Sequence, residues 1–139
     1  MGRILAIDYG KKRTGLAVSD PLKIIAGGLT TVETSSIMSF LRGYLSANDV
    51  ELIVIGLPKT VQNRPSESMN YINPFVGRLK KEFPDMPIKF YDERFTSVLA
   101  HKTMLDAGLK KKDRANKSLV DEISATIILQ DYMESVKGL

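Results

Sequence analysis

Arg3-Ile4-Leu5-Ala6-Ile7-Asp8-Tyr9-Gly10-Lys11-Lys12-Arg13-Thr14-Gly15-Leu16-Ala17-Val18-Ser19-Asp20 is the stretch on which the reading of this chain turns. Residues 3–8 are almost continuously apolar, as a central strand covered on both faces must be, and residues 10–13 form a turn. Residues 15–19 and 24–32 follow closely enough for an antiparallel meander, punctuated by Asp20-Pro21 and Gly27-Gly28. Asp8 therefore stands where the first strand ends, beside a glycine turn carrying Lys11, Lys12 and Arg13. A carboxylate, a tight turn and three cations suit a phosphate held near a metal ion, although a hairpin turn with solvated charges explains the same residues.

Downstream, the pattern alternates. Thr34 or Ser35 caps a helix to about Ala47, with Ile37, Met38, Leu41, Tyr44 and Leu45 at helical spacing. A second buried strand over 52–55 ends at Gly56-Leu57-Pro58. A polar loop spans 59–65, and Ser66 caps a helix carrying Met69, Ile72, Phe75, Val76 and Leu79. Pro84 and Pro87 close it before a strand over 88–91. A helix over 96–107, a basic loop over 108–117 and a helix over 119–136 complete the chain. Three antiparallel strands followed by two that alternate with helices predict an α/β fold with a mixed five-stranded sheet flanked by helices.

Two further acids stand at element boundaries: Glu93 just after the last strand and Asp121 opening the last helix. Strands ending in acids place those acids where open α/β sheets bind ligands. At 100° per residue, Asp121 shares an arc with Ala125, Ile128, Leu129, Tyr132, Met133 and Val136, which turns it toward the sheet; Ile123 and Ile127 fall outside. A carboxylate there needs a cation or hydrogen-bond donors to replace lost hydration. Oxygen ligands converging from separate elements suit Mg²⁺ or Mn²⁺, and a pair of such ions clamps the attacking and leaving oxygens of a phosphodiester. Acids favoured by turns, and Asp121 as a helix-start residue facing the macrodipole, are the alternative explanation.

Composition frames this reading. The chain has 139 residues, 43% hydrophobic, consistent with one domain spanning 1–139. It lacks cysteine, which excludes disulfides and thiolate zinc sites. No signal-like leader precedes the first strand and no apolar run approaches about 18 residues, so a cytoplasmic protein is expected. A formal charge of +4 fits a polyanionic partner.

The segments 8–10 and 12–20, then Val54-Ile55-Gly56-Leu57-Pro58, Asp92-Glu93-Arg94-Phe95-Thr96-Ser97, and Lys117-Ser118-Leu119-Val120-Asp121 with Ser124-Ala125 and Ile127-Ile128-Leu129-Gln130, together resemble the YqgF family of bacterial nucleases. The four motifs come in the family's order and spacing across nearly the whole chain, whereas residues 62–68 follow its loop only loosely. The resemblance implies a ribonuclease H-like fold, with metal ligation at Asp8, Glu93 and Asp121. It also implies a nuclease that processes the 5′ end of pre-16S rRNA in ribosome biogenesis, or a Holliday junction resolvase acting on four-way DNA junctions.

The mechanism expected is metal-assisted hydrolysis of a phosphodiester by water, with Asp8 shared between two ions and Glu93 and Asp121 each completing one coordination shell. Asp92 stands as the alternative to Glu93, since neighbours on a strand face opposite sides. Lys11, Arg13 and Arg94 are candidates for phosphate positioning. Lys110, Lys111, Lys112, Arg114 and Lys117 form a basic loop that either contacts the backbone of a nucleic acid or is simply solvated. His101 reads as a surface or packing residue, and Phe90, Tyr91 and Phe95 as packing residues rather than base-stacking platforms. Two other classes compete. Asp8-x-Gly10 with Gly15 also resembles the first phosphate loop of actin-like and sugar-kinase ATPases, for which a second domain is missing, and a non-catalytic RNA-binding scaffold keeps the same surface. Monomer and homodimer are both compatible with the sequence.

Overall fold

A computed structural model describes residues 2–57, 69–92 and 117–137. Strands β1 (Arg3–Tyr9), β2 (Arg13–Ser19) and β3 (Ala26–Glu33) form the antiparallel meander. A single 3₁₀ turn, Thr34–Ser36, then leads into helix α1 (Ile37–Ala47). Strand β4 (Val50–Leu57), helix α2 (Met69–Glu82), strand β5 (Ile88–Asp92) and helix α3 (Lys117–Lys137) follow. The sheet order is β3-β2-β1-β4-β5, with β4 parallel to β1 and β5 parallel to β4. This is the mixed five-stranded sheet that the sequence predicts.

The central strand explains the layering. Leu5, Ile7 and Tyr9 enter a core on one face with Ile37 and Leu41 of α1 and Ile72, Phe75 and Leu79 of α2. Ile4 and Ala6 enter a second core on the other face, with Ala17, Val54 and the α3 residues Ala125, Ile128, Leu129, Tyr132 and Met133. A strand buried on both sides cannot alternate apolar with polar, which is why residues 3–7 read as one apolar run. Each fully buried Leu, Ile or Phe contributes about 1.5–3 kcal/mol of transfer free energy. Tyr9 is fixed further by stacking on Phe75, with ring centroids 4.2 Å apart.

Several local expectations need correction. Thr34 and Ser35 do not cap α1; the residue before the helix is Ser36, and its side chain makes no capping bond. The Thr34 hydroxyl is engaged elsewhere, as described below. The last helix starts at Lys117, so Asp121 lies one turn inside it rather than at its opening, and Lys117 belongs to the helix rather than to a loop. Phe90 is 42% exposed and is not a core residue. Tyr91 does pack, edge-on against Tyr132 of α3. Ile127 is buried although it lies off the main arc of α3, and Val136 on that arc is 44% exposed near the helix end. The expected helix over 96–107, the basic loop up to residue 116, His101 and Phe95 lie outside the described residues.

Candidate active site at the end of the central strand

Asp8 is the penultimate residue of β1 and half-buried. Period-two alternation aligns it with Ile4 and Ala6, on the sheet face that α3 covers. Across the ladder Asp8 pairs with Gly15 of β2, a neighbour at about 4.5–5.5 Å between Cα atoms. Gly15 in turn lies against the backbone of Asp121: a Cβ on Gly15 would stand 2.5 Å from the Asp121 carbonyl carbon and overlap its oxygen. The missing side chain lets α3 descend onto β2 at this point, bringing the helix turn that carries Asp121 to within one strand of Asp8. Residues 113 positions apart in sequence are thus gathered on one face at the carboxyl end of the central strand.

Arg13, the first residue of β2, completes the described part of the site. Its Nε–H donates to Asp121 Oδ2 at 2.9 Å, a pair with 37% and 25% of the side chains exposed. The turn between β1 and β2 that carries Lys11, Lys12 and Arg13 is clamped by Thr34. The Thr34 hydroxyl donates to the Gly10 carbonyl oxygen at 2.7 Å, and its backbone N–H donates to the Lys12 carbonyl at 2.9 Å. Thr14, fully buried, lies 2.9 Å from Thr34 hydroxyl to hydroxyl. Since Thr34 gives its single proton to Gly10, Thr14 is the donor of that bond. The sequence reading missed this clamp because a Thr before a helix signals a cap, and nothing local shows that its hydroxyl is used across the sheet.

Of the other predicted site residues, Lys11 is exposed on the clamped turn. Asp92 ends β5 and Lys117 opens α3; their side chains, and all of Glu93, Arg94, Lys110, Lys111, Lys112 and Arg114, lie outside what is described. Among the described residues no group of three or more acids or histidines gathers as a metal cluster. Asp8 and Asp121 nevertheless fit a divalent cation in kind: they offer hard carboxylate oxygens from two separate rigid elements at a strand terminus. Arg13 occupies one oxygen of Asp121 and leaves the rest of that carboxylate for coordination. Among the described residues, no helix is long and apolar enough to cross a membrane.

Known proteins agree with this architecture. The family model described as RuvX, Holliday junction resolvase, matches residues 2–135. A protein of Bacteroides thetaiotaomicron named "Putative pre-16S rRNA nuclease" is 65% identical over 97% of this chain and 98% of its own length. Relatives bearing the same name from Phocaeicola vulgatus and Porphyromonas gingivalis are 64% and 58% identical, over 99% and 97% of this chain and 99% and 98% of their own. Among solved structures, T. thermophilus RuvC in complex with a Holliday junction superposes with a TM-score of 0.60 at 17% identity, covering 99% of this chain and 97% of that one. The Fowlpox virus resolvase bound to Holliday junction DNA gives 0.58 at 15% identity, over 96% and 98%. These structural likenesses establish a common fold with the resolvases, the ribonuclease H-like fold, while the sequence matches establish kinship: the chain belongs to the RuvX family of nucleases.

Proposed function

We propose that this chain, as a single domain, is a divalent-metal-dependent nuclease that trims the 5′ end of pre-16S rRNA during ribosome biogenesis in the cytoplasm. The observation that supports the reading is the contact of the Asp121 backbone with Gly15, the ladder partner of Asp8, which brings two acidic residues near the end of the central strand. The name shared by relatives at 57–65% identity supports the RNA substrate.

In this reading Asp8, Asp121 and Glu93 hold Mg²⁺ or Mn²⁺. Glu93 is taken over Asp92 on the strength of the family motif Asp92-Glu93-Arg94, with Asp92 as its alternative. Such an ion, when bound, supplies Lewis acidity to the phosphodiester and a more acidic water. The chain's own residues do the rest. Asp8 and Asp121 would hold the ion from two rigid elements, so that a phosphate drawn to it is positioned with little reorganisation. Arg13 holds one Asp121 oxygen and, with Lys11 on the clamped turn and Arg94, neutralises backbone phosphates on either side. Lys110, Lys111, Lys112, Arg114 and Lys117 are taken as further contacts to the nucleic-acid backbone on the ground of their charge.

A second reading, cleavage of four-way DNA junctions, is favoured by the description of the matching family model. The experiment that separates them compares end-labelled pre-16S rRNA with a four-way DNA junction, with Mg²⁺ or Mn²⁺ and with Asp8→Asn as control. RNA cleavage that vanishes in Asp8→Asn supports the first reading. Symmetric cuts in the junction transfer the assignment to recombination. Binding without cleavage of either substrate leaves an RNA-binding scaffold.

A further inference from the structure

On the face of the sheet opposite Asp8, the helices α1 and α2 leave an open groove of about 830 Å³ whose walls carry Lys11, Arg42, Arg78 and Lys81. Among the described residues the acid lining it is Glu82, and Arg42 consumes that charge through a 2.8 Å bond from its Nε–H to Glu82 Oε1. Three cations are left over. Lys11, Arg78 and Lys81 form no ion pair among the described residues, and folding gains nothing from holding three like charges around one concavity. The hydroxyls of Ser35 and Ser39 line the same groove and add neutral donors for oxygen.

The groove is also joined to the carboxylate site. Tyr9 lines it and is the residue next to Asp8, turned to the other face and fixed by its stack on Phe75. Lys11 borders both this groove and a shallower cleft holding Lys12 and Arg13. Arg13 bonds Asp121. Arg13, Lys12 and Lys11 therefore link Asp121 to the groove between the helices over the clamped β1–β2 turn, with Glu33 as the acid among the described residues lining that cleft. From Ile37 to Arg42 the wall of α1 rises about 7.5 Å, which accommodates about two nucleotides at the roughly 3.4 Å per-strand charge spacing of a nucleic-acid helix.

We propose that this groove binds the sugar–phosphate backbone of the nucleic-acid strand flanking the cleavage site, with Arg78 and Lys81 as its phosphate contacts and Lys11 as the link to the carboxylates. This inference rests on the nuclease reading above and adds a second site to it, on the far face of the sheet. The backbone leaving the carboxylates bends over the β1–β2 turn instead of continuing across α3.

The test measures binding by fluorescence anisotropy, from 50 to 200 mM salt with EDTA present. Labelled pre-16S rRNA fragments and a labelled four-way DNA junction are the probes. R78Q/K81Q is compared with the wild-type protein and with K80Q/K89Q, which removes the same charge from exposed lysines that do not line the groove. The groove variant is expected to bind about tenfold more weakly at 100 mM salt, with a salt slope shallower by about 1.4–1.8, the loss of two phosphate contacts. The control pair should stay within about twofold. Ser39→Asp, which inserts a carboxylate among the groove cations, should weaken binding in the same direction and guards against misfolding of the double variant. Equal effects of R78Q/K81Q and K80Q/K89Q, or no effect of either R78Q/K81Q or Ser39→Asp, overturn the groove while leaving nuclease activity standing. A wild-type protein that binds neither probe overturns both readings.

Discussion

Gly15 of β2 and Asp121 of α3 are in backbone contact, with no space for even a methyl group between them. The glycine works here through close approach, not through an unusual backbone conformation: it sits inside a regular antiparallel ladder opposite Asp8. Any side chain at this position forces α3 away from the sheet. Gly15→Ala should therefore cost about 1–3 kcal/mol, as overpacking of a rigid contact does, and lower the melting temperature by several degrees. It should also weaken Mn²⁺ binding measured by calorimetry, because Asp121 moves relative to Asp8. A Gly15→Ala protein with the wild-type melting temperature and metal affinity would show that the helix yields freely.

In the proposed reading Arg13 serves two partners in turn, Asp121 and a backbone phosphate. Its bond to Asp121 is partly exposed, and such pairs contribute about 0.2–1 kcal/mol. Arg13→Gln should thus shift melting by no more than a few degrees. The larger effect should fall on nucleic-acid binding, where one lost phosphate contact flattens the salt slope by about 0.7–0.9. Arg13→Lys should keep the slope, since the charge remains, even though the directed Nε–H bond to Asp121 is lost. Wild-type slope in Arg13→Gln is the outcome that confines Arg13 to a structural role.

The sequence carries the sheet clearly because both periodicities are strong. The doubly buried β1 reads as an unbroken apolar run, and the α3 arc of Ala125, Ile128, Leu129, Tyr132 and Met133 corresponds to one core. Asp121 could be turned toward the sheet from that arc alone. Its proximity to Asp8 could not, since it depends on where α3 crosses β2, and that is decided by the absence of a side chain at Gly15. Two further features escape a local reading. Thr34 looks like a cap but spends its hydroxyl on Gly10, across a strand pair. Arg42, Arg78 and Lys81 look like ordinary polar positions on two helices, and only the packing of α1 and α2 on the same face turns them into one groove.

The turn between β2 and β3 is organised by Asp20. Its Oδ1 accepts the N–H groups of Ile24 at 2.7 Å and Ile25 at 2.8 Å, and its Oδ2 accepts that of Leu22 at 3.2 Å. These bonds, the one from Ile25 foremost, hold the Asp20 carboxyl below its ordinary value of 3.8. A depressed carboxylate pKa stabilises the fold above the unfolded value, and this contribution disappears as pH falls through the lower folded value. Asp20→Asn should melt below the wild type at pH 7. The gap should hold down to about pH 4 and close with further acidification, as a melting series from pH 2 to 7 would reveal. A gap that persists at pH 2 would mean that the carboxylate charge is not what holds the turn.

Asp131 has the opposite sign. It lies half-buried on α3, three residues before Glu134, and burial first and the Glu134 charge second push its carboxyl above the ordinary 3.8. The native state therefore holds this proton more tightly than the unfolded chain does. Stability falls as pH rises from the unfolded value through the raised folded one, and at pH 7 the full penalty is present. Asp131→Asn removes the penalty with little change in helix propensity, since Asp and Asn are both modest helix formers. The like-charge pair alone accounts for a few tenths of a kcal/mol, so the variant should melt about 1–2 °C higher at pH 7. Below about pH 3.8, where both proteins carry a neutral side chain, the two should coincide. Glu134→Gln should recover only the smaller share, because burial is the leading cause at Asp131. An Asp131→Asn protein that gains nothing at pH 7 would indicate that water reaches this carboxylate on α3 and keeps it hydrated.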